Sequence, residues 1–338
     1  MQTVESSAPQ TAAVTNITLG EYRRLWQQHY QLWQENGPFV SPAWLSAWWQ
    51  CFGGDAELLM LMVNDNGRLL GVAPLMVEGR TARLIGSEDV SDYLDFLVLE
   101  GGEQQFYAIL VSHLQLLGIK QLRAIPVRPE SSVLKALVPW ARKSGYAVGL
   151  EDRSMSVQMP LPAHWDEYLA KLSKKQRHEA KRKMRRLAEA GEVTTRRITR
   201  PQEVEVAMTH FFHWFRLSRE DKEIYMTPGR ERFFVTLAGQ LAEAGMLNML
   251  ALEIDGAVEA MVFCIELGST TYLYNNGFNP QFRSASIGIV SKLMTIRDSI
   301  AAGRNCYDFL NGAEEYKYQL GGREIALSAC TIDLHCHG

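Results

Sequence analysis

Residues 247–277 read LNMLALEIDGAVEAMVFCIELGSTTYLYNNG. The apolar run 247–254 predicts a strand, and so does 257–267. Asp255-Gly256 between them is a two-residue hairpin signal, because both positions tolerate the positive φ that such a turn demands. A third strand follows at 270–276. In it Tyr272 and Tyr274 alternate with Leu273 and Asn275, so the two tyrosines share one face. Packing with a satisfied hydroxyl is the commoner fate of such tyrosines.

Outward from this stretch the pattern continues on both sides. Downstream come a loop, a helix over 286–302, Gly303 and a strand over 305–310. Upstream, helices are predicted over 165–190, 201–219 and 230–244, the last ended by Gly245. The first half carries the same order. Strand 57–63, the turn 64–67 and strand 68–77 form a hairpin. Short strands at 82–86 and 93–99, a helix over 103–117, Gly118 and a strand over 120–127 follow. Gly67 corresponds to Gly256, and Gly118 to Gly303. The repeat is one of pattern rather than of letters. Two related mixed α/β domains account for it. Earlier still, Ser41-Pro42 opens a helix whose Trp44, Leu45, Trp48 and Trp49 mark a buried face. Further predicted elements are a helix over 132–143 and a strand over 154–159. Pro160 and Pro162 then separate the halves.

A chain of 338 residues is long enough for two ordinary domains. Its net charge of −3 supplies no global attraction to nucleic acid or membrane, so anion binding must come from local clustering. Five cysteines, at 51, 264, 306, 330 and 336, include no CxxC pair. That spacing argues against a disulfide framework and fits a reducing compartment. Cys330, His335, Cys336 and His337 could bind a metal, but a final strand with a frayed end explains them as well, and no metal is expected. Residues 1–16 are polar and rich in Ala, Ser and Thr, and are expected to form a disordered lead-in rather than a secretory signal. No apolar run approaches the ~20 residues needed to span a bilayer. A cytoplasmic protein without a membrane span is the expectation.

The strongest local signal is charge. Residues 171–186 read KLSKKQRHEAKRKMRR, with nine Lys or Arg and one Glu. Ser173 and Gln176 form a capping box, and Gly191 is the expected C-cap. Leu172, Gln176, Ala180, Met184 and Leu187 fall on one narrow face. A solvated helix serving solubility would explain the charge; anion recognition explains its density better. With no aromatic residue in the run, base stacking on it is not expected.

Two further constellations stand out. Asn279–Gly288 follows a strand and opens a helix, so its backbone N–H groups could meet an anion such as a pyrophosphate. An ordinary capped helix, with Ser284 or Ser286 as N-cap, is the plain alternative. Near the end of the chain, Asp308 interrupts an apolar strand that ends beside Gly312. It either pairs, with Lys317 or Arg283, or acts. The sequence holds no G-x-S-x-G, H-E-x-x-H, Walker or G-x-G-x-x-G motif. His210 and His213 lie in an aromatic helical stretch, where packing is the commoner role.

Taken together, these residues resemble a known family. The spacing of Tyr168, Lys171, Lys174, Lys175, Arg177, Lys181 and Arg185, followed by Gly191, resembles the start of the CelD-type acetyltransferase domain of the GNAT superfamily. So do Tyr272-x-Tyr274-Asn275-x-Gly277-Phe278-Asn279-Pro280, Ser286-x-Gly288, and Tyr307-Asp308-Phe309-Leu310-x-Gly312-x-Glu314-x-Tyr316-Lys317. The resemblance covers about residues 165–320. Phe39-Val40-Ser41-Pro42-x-Trp44 and Ser91–Asp95 also resemble the N-terminal halves of such proteins. The family is similar to the Fem-type aminoacyltransferases, which pair two GNAT-like domains and use aminoacyl-tRNA to extend cell-wall precursors. Of the acetyl-CoA loop Q/R-x-x-G-x-G/A, Arg283 and Gly288 are retained.

The resemblance implies two tandem GNAT-like domains: a degenerate one over 17–160 and an acyltransferase domain over 161–338. It implies transfer of an acyl group, acetyl in the first instance, from acyl-CoA to an amine in exopolysaccharide or cell-envelope biosynthesis. The acceptor would be a small molecule or a glycan precursor. Transfer from aminoacyl-tRNA is one alternative, and a non-catalytic accessory protein of polysaccharide assembly is the other. Arg283, Ser284, Ala285, Ser286, Ile287 and Gly288 would hold the donor's pyrophosphate. The donor carbonyl would lie in a gap between strands 247–254 and 270–276 or their neighbours. Asp308 or Glu314 would be the base, and Lys317 or Tyr274 would steady the oxyanion or protonate the leaving group. Lys174, Lys175, Arg177, Asn275 and Tyr316 would contact substrate.

Overall fold

Both two-residue turns form as their chemistry demands. Asn66-Gly67 and Asp255-Gly256 each place two successive residues at positive φ, 50° and 77° in the first, 51° and 81° in the second. Asn, Asp and Gly reach this conformation with the least strain, and its twist matches that of the flanking strands. The computed structural model describes residues 12–335. They form two units interleaved along the sequence. Unit 1 holds residues 12–42, 53–153 and 327–335, and unit 2 holds 43–52 and 154–326.

In unit 1, strands β1 (Ala12–Asn16), β2 (Glu57–Asp65), β3 (Arg68–Glu78) and β4 (Thr81–Leu84) pair antiparallel in sequence order. The two-residue β5 (Leu97–Val98) adds to β3. The helix Glu103–Leu116 then returns the chain, Gly118 takes φ 77°, and β6 (Gln121–Val127) pairs parallel to β4.

After β6 the chain enters β7 (Ala147–Pro160), whose last residues belong to unit 2. There β8 (Val193–Ile198), β9 (Leu247–Ile254), β10 (Ala257–Leu267) and β11 (Thr270–Phe278) pair antiparallel in order. The helix Ile287–Ala301 follows, Gly303 takes φ 71°, and β12 (Cys306–Asn311) pairs parallel to β11. The two units thus repeat one topology, with Gly118 and Gly303 at matching helix ends. The fold class is two tandem mixed α/β domains.

The last strand of each sheet is exchanged. β7 follows β6 in sequence but pairs antiparallel with β12 over Ser156–Pro160. β13 (Arg323–Asp333) follows β12 but pairs antiparallel with β6 over Ser328–Asp333. The helix Pro42–Phe52 is a second excursion, since its residues 43–52 belong to unit 2. There Trp44 packs edge-on against Phe233 and Tyr274, at centroid distances of 5.5 and 5.2 Å, and Phe52 meets Phe233 at 5.1 Å. A linear division at residue 160 places this helix and the final strand with the opposite unit.

The opposite face of the unit 2 sheet carries the helices of the basic and C-terminal segments. Leu250, Val262, Cys264 and Leu273 pack with Ile287, Val290, Leu293 and Ile296 and with Leu172, Ala180 and Leu187. The narrow apolar face predicted for the basic helix is therefore the one it buries. Two helices, Trp165–Lys171 and Lys174–Ala188, replace the single predicted one. Ser173 stops the first and caps the second: its Oγ accepts from Gln176 N, and Gln176 Oε1 accepts from Ser173 N.

Several expectations need correction. Residues 12–16 of the expected lead-in are a strand, because their backbone groups pair with β2; residues 1–11 lie outside the described residues. Strand 93–99 shrinks to Leu97–Val98. The helix predicted over 132–143 is a π-turn, Val133–Leu137, followed by Val138–Lys143. The C-cap of the basic helix is Glu189 rather than Gly191. Gly191 serves close approach instead: a Cβ there would lie 2.5 Å from Asp255 Oδ2. β8, whose central residues are exposed, carries no apolar alternation to reveal it.

Trp44→Ala removes the indole that fills the Phe233–Tyr274 corner. It is expected to lower unfolding free energy by ~3–5 kcal/mol, measured by chemical denaturation. A loss within experimental error would show that unit 2 does not depend on this helix.

Candidate active site

β11 and β12 pair only over Thr270–Tyr272 and Cys306–Asp308. β11 runs on to Phe278 along β10, while β12 turns away. Two backbone irregularities accompany the parting. Tyr274 is the extra residue of a bulge, since Leu273 faces Cys264 and Asn275 faces Phe263. On the other strand the register against β7 shifts between Asp308 and Asn311, and Leu310 takes φ 61°. The gap therefore lies between β11 and β12. It cannot lie between 247–254 and 270–276, because β10 occupies that place.

The turned end of β12 is held by polar contacts. Asp308 is buried, and its Oδ1 accepts from Leu310 N at 2.8 Å and from Ser156 Oγ at 3.3 Å. Lys317, 2% exposed, donates to the carbonyls of Leu310, Asn311 and Gly312 at 3.0, 2.6 and 2.9 Å. It also pairs with Glu314 at 2.9 Å. The ammonium that the sequence offered to an oxyanion is thus engaged by the loop it closes. Glu314 remains exposed, with 47% of its side chain accessible. Gly312, at φ 103°, leaves room for it, since a Cβ there would lie 2.6 Å from Glu314 Oε2.

The other wall comes from the loop after β11. Asn279 Nδ2 donates to Glu259 Oε2 at 2.7 Å, and Asn279 Oδ1 accepts from Gln281 N. Arg283 reaches back to Ser218 O at 2.8 Å. Ser286 is the N-cap of helix Ile287–Ala301, at φ 63°, yet its side chain makes no capping bond. The first-turn N–H groups of Ile287 and Gly288 have no intrahelical acceptor by construction. Ala285 is buried, and Gly288 is required by packing: a Cβ would lie 2.7 Å from the Phe278 ring.

Of the remaining predicted residues, Tyr274 stacks on Phe234 at 5.2 Å and meets Phe263 at 5.6 Å. Asn275 Oδ1 accepts from Asn276 N. Tyr316 lies under the Lys292 ammonium, 4.7 Å from Nζ to ring centroid, and burial raises its pKa. Lys174 and Lys175 are exposed, and with Arg177 they line an open groove along the basic helix. Gln176 ties that helix to the short helix Glu315–Gln319 after β12, donating to Tyr318 O at 2.9 Å.

Two lysines at the site escaped the sequence reading. Lys292, 4% exposed, donates to Gly288 O at 2.7 Å. Burial, then repulsion by Lys222, brings its pKa down to about 7. Lys222 sits over the Phe215 ring at 4.6 Å and donates to Asn276 O at 2.5 Å. Lys222 is half-buried, and the partial loss of water around its ammonium, then repulsion by Arg219, brings its pKa down to about 8. A signal for Lys292 existed: Gly288 and Ile296, one turn to either side, are both buried. Lys222 had none, because its helix Glu220–Tyr225 has no buried residue.

Among the described residues no group of three or more His, Cys, Asp or Glu could hold a metal. Cys330 is buried in β13, and Cys336 and His337 lie outside the described residues. Among the described residues, no helix is long and apolar enough to cross a membrane.

Comparison with known proteins bears on the fold. Residues 174–318 match the family model described as acetyltransferase (GNAT) domain. No curated protein matches the chain. Among solved structures, FemX is similar at a TM-score of 0.65 and 12% identity, over 94% of this chain and 96% of that one. A conserved protein of unknown function from Bacteroides thetaiotaomicron VPI-5482 is similar at 0.63 and 11%, over 96% and 100%. A tandem GNAT protein from the clavulanic acid biosynthesis pathway, without AcCoA, is similar at 0.52 and 13%, over 97% and 100%. The chain has a fold similar to that of a tandem GNAT protein, and its residues 174–318 match the model of an acetyltransferase (GNAT) domain.

Proposed function

We propose that the protein is an N-acyltransferase that moves an acyl group, acetyl in the first instance, from acyl-CoA to an amine. The acceptor is a small molecule or a glycan precursor of exopolysaccharide or cell-envelope synthesis. One observation carries this reading: β11 and β12 part at Tyr272 and Asp308 beside a helix whose N-terminus has no side-chain cap. A parted parallel pair leaves backbone groups without a neighbouring strand, and an extended thioester arm can occupy that place. The uncapped helix end suits the phosphates at the other end of the same carrier.

In this reading the first-turn N–H groups of Ile287 and Gly288 hold the donor's pyrophosphate, in the loop that Arg283, Ser284, Ala285 and Ser286 shape; the Ser286 N–H is taken by Arg283 O and the Arg283 guanidinium by Ser218 O. Glu314 is the proton acceptor, since it is exposed where Asp308 is buried. Asp308 and Lys317 hold the strand end that carries it. The amine gives its proton to Glu314 and attacks the thioester carbonyl. The thiolate leaves as the C–S bond breaks and takes a proton from the Tyr274 hydroxyl. Asn275 and Tyr316 border the acceptor, and Lys174, Lys175 and Arg177 attract its acidic parts.

The exposed charge of helix Lys174–Ala188 favours a second reading, with aminoacyl-tRNA as donor. The two separate by salt dependence. Binding of tRNA would weaken by about 10³-fold between 50 and 200 mM salt and would disappear when residues 174–186 lose their charge.

Acetyl-CoA at about a hundredfold excess over its Kd is expected to stabilise the protein by about 2.7 kcal/mol, read as a rise in Tm. Glu314→Gln is expected to lower kcat by about 100-fold or more without weakening acetyl-CoA binding. No acetyl-CoA stabilisation together with salt-sensitive tRNA binding would favour the second reading. Unchanged kcat in Glu314→Gln would remove Glu314 from the mechanism.

A further inference from the structure

β11 meets the gap with part of its outer edge already filled. Asn279 N donates to Glu259 O on β10. In an antiparallel pair, residues exchange backbone bonds with the partner strand at alternate positions. Gly277, opposite Met261, therefore bonds to β10, and Asn276, opposite Val262, turns its backbone N–H and C=O to the other edge. That edge is the one β12 leaves beyond Tyr272. Both Asn276 groups are taken from within the chain. The N–H donates to Asn275 Oδ1 at 3.2 Å, and the C=O accepts from Lys222 Nζ at 2.5 Å. An ammonium thus stands where a further strand, or an extended ligand, would place its own N–H.

Lys222 comes from a segment with little else to hold it. Helix Glu220–Tyr225 has no buried residue, and Ile224 within it is 77% exposed. Its two ends are tied instead. Ahead of it, Ser218 O accepts from Arg283 at 2.8 Å. At its end, Tyr225 O accepts from Arg230 Nη1 at 2.8 Å, and the Arg230 guanidinium lies 4.3 Å from the Tyr225 ring centroid. The flanking residues Arg219 and Met226 leave the helical conformation, at φ −159°, ψ 144° and φ −83°, ψ 74°. Between these ties the helix meets the rest of unit 2 through Lys222, on Asn276 O and over the Phe215 ring, and through Tyr225, 6.2 Å from the same ring. A segment with so few buried contacts opens at a low free-energy cost.

We infer that residues 219–226 form a strap that Lys222 closes over the free edge of β11, and that the donor's extended arm opens it by giving an amide N–H to Asn276 O in place of the lysine. The exchange leaves the carbonyl with a hydrogen bond, and the released ammonium returns to water, so neither group is left unsatisfied. While no ligand is bound, the closed strap also keeps this edge from pairing with another chain. The strap itself stands on the contacts of Lys222; the identity of the ligand that opens it rests on the acyl-transfer reading.

Amide hydrogen exchange of the full chain reads the strap without any ligand. Lys222→Met keeps an apolar stem over Phe215 but has no N–H to give, and the amides of residues 219–226 should exchange at least about tenfold faster in it than in the unaltered protein. Ile224→Ser, a change on the exposed side of the same helix, should leave them as they were. Because the closed strap excludes the donor, Lys222→Met should also bind acetyl-CoA about tenfold more tightly. In the unaltered protein, acetyl-CoA should raise exchange over residues 219–226 to the rate of the methionine variant. Equal exchange in Lys222→Met and the unaltered protein, or the same acceleration in Ile224→Ser, overturns the strap. Weaker or unchanged acetyl-CoA binding in Lys222→Met overturns its displacement by the donor. If acetyl-CoA binds neither protein while Lys222→Met still loosens the segment, the acyl-transfer reading falls and the strap stands.

Discussion

The site depends on one buried ammonium. Lys317 Nζ gathers the carbonyls of Leu310, Asn311 and Gly312, and in doing so it turns the end of β12 away from β11. The turn has a conformational cost: Leu310 takes φ 61°, which disfavours a residue with a branched side chain. Asp308 offsets that cost from the other side, accepting the Leu310 N–H in the interior. Charge-assisted bonds of this kind are stronger than neutral ones in a low-dielectric setting. Without them the shortest path for β12 would be to continue alongside β11, and the gap would close.

The same economy explains the bulge at Tyr274. One extra residue lets β11 keep its pairing with β10 while its side chains are re-aimed. Tyr274 then packs against Trp44, Phe234 and Phe263, and the strand end is anchored by aromatic contacts rather than by a neighbouring strand. Gly277 completes the anchor, since a Cβ there would lie 2.3 Å from Phe215 N. Helix Val204–Ser218 can therefore approach the backbone of β11 directly. The gap is held open from one side by packing and from the other by hydrogen bonds.

Electrostatics differs from one part of the candidate site to another. The uncapped helix end presents partial charges from backbone dipoles, which suit an extended polyanion. Lys292, 4% exposed, is a full charge in a poorly solvated place, held by the Gly288 carbonyl and the Tyr316 ring. The exposed helix Lys174–Ala188 is a third case, screened by salt and useful for attraction at a distance.

Local chemistry decided much of this protein. Asp255-Gly256 and Asn66-Gly67 specify their hairpins because the turn geometry is set by two residues. Ser173 and Gln176 specify a helix start within four residues of chain. The repeated order of strands, turns and glycines disclosed two related units, since periodicity and turn residues are short-range signals. Asp308, Glu314 and Lys317 stood out in the sequence as well, because they cluster within ten positions. What only the tertiary structure decided is which strands neighbour which, and what surrounds each charge. The exchange of β7 and β13, and the passage of Trp44 into the second unit, join residues more than a hundred positions apart. No local pattern encodes such pairings. Lys222 was hidden for the same reason: a lysine looks alike in sequence whether water or an aromatic ring lies against it, and only the fold brings it over Phe215.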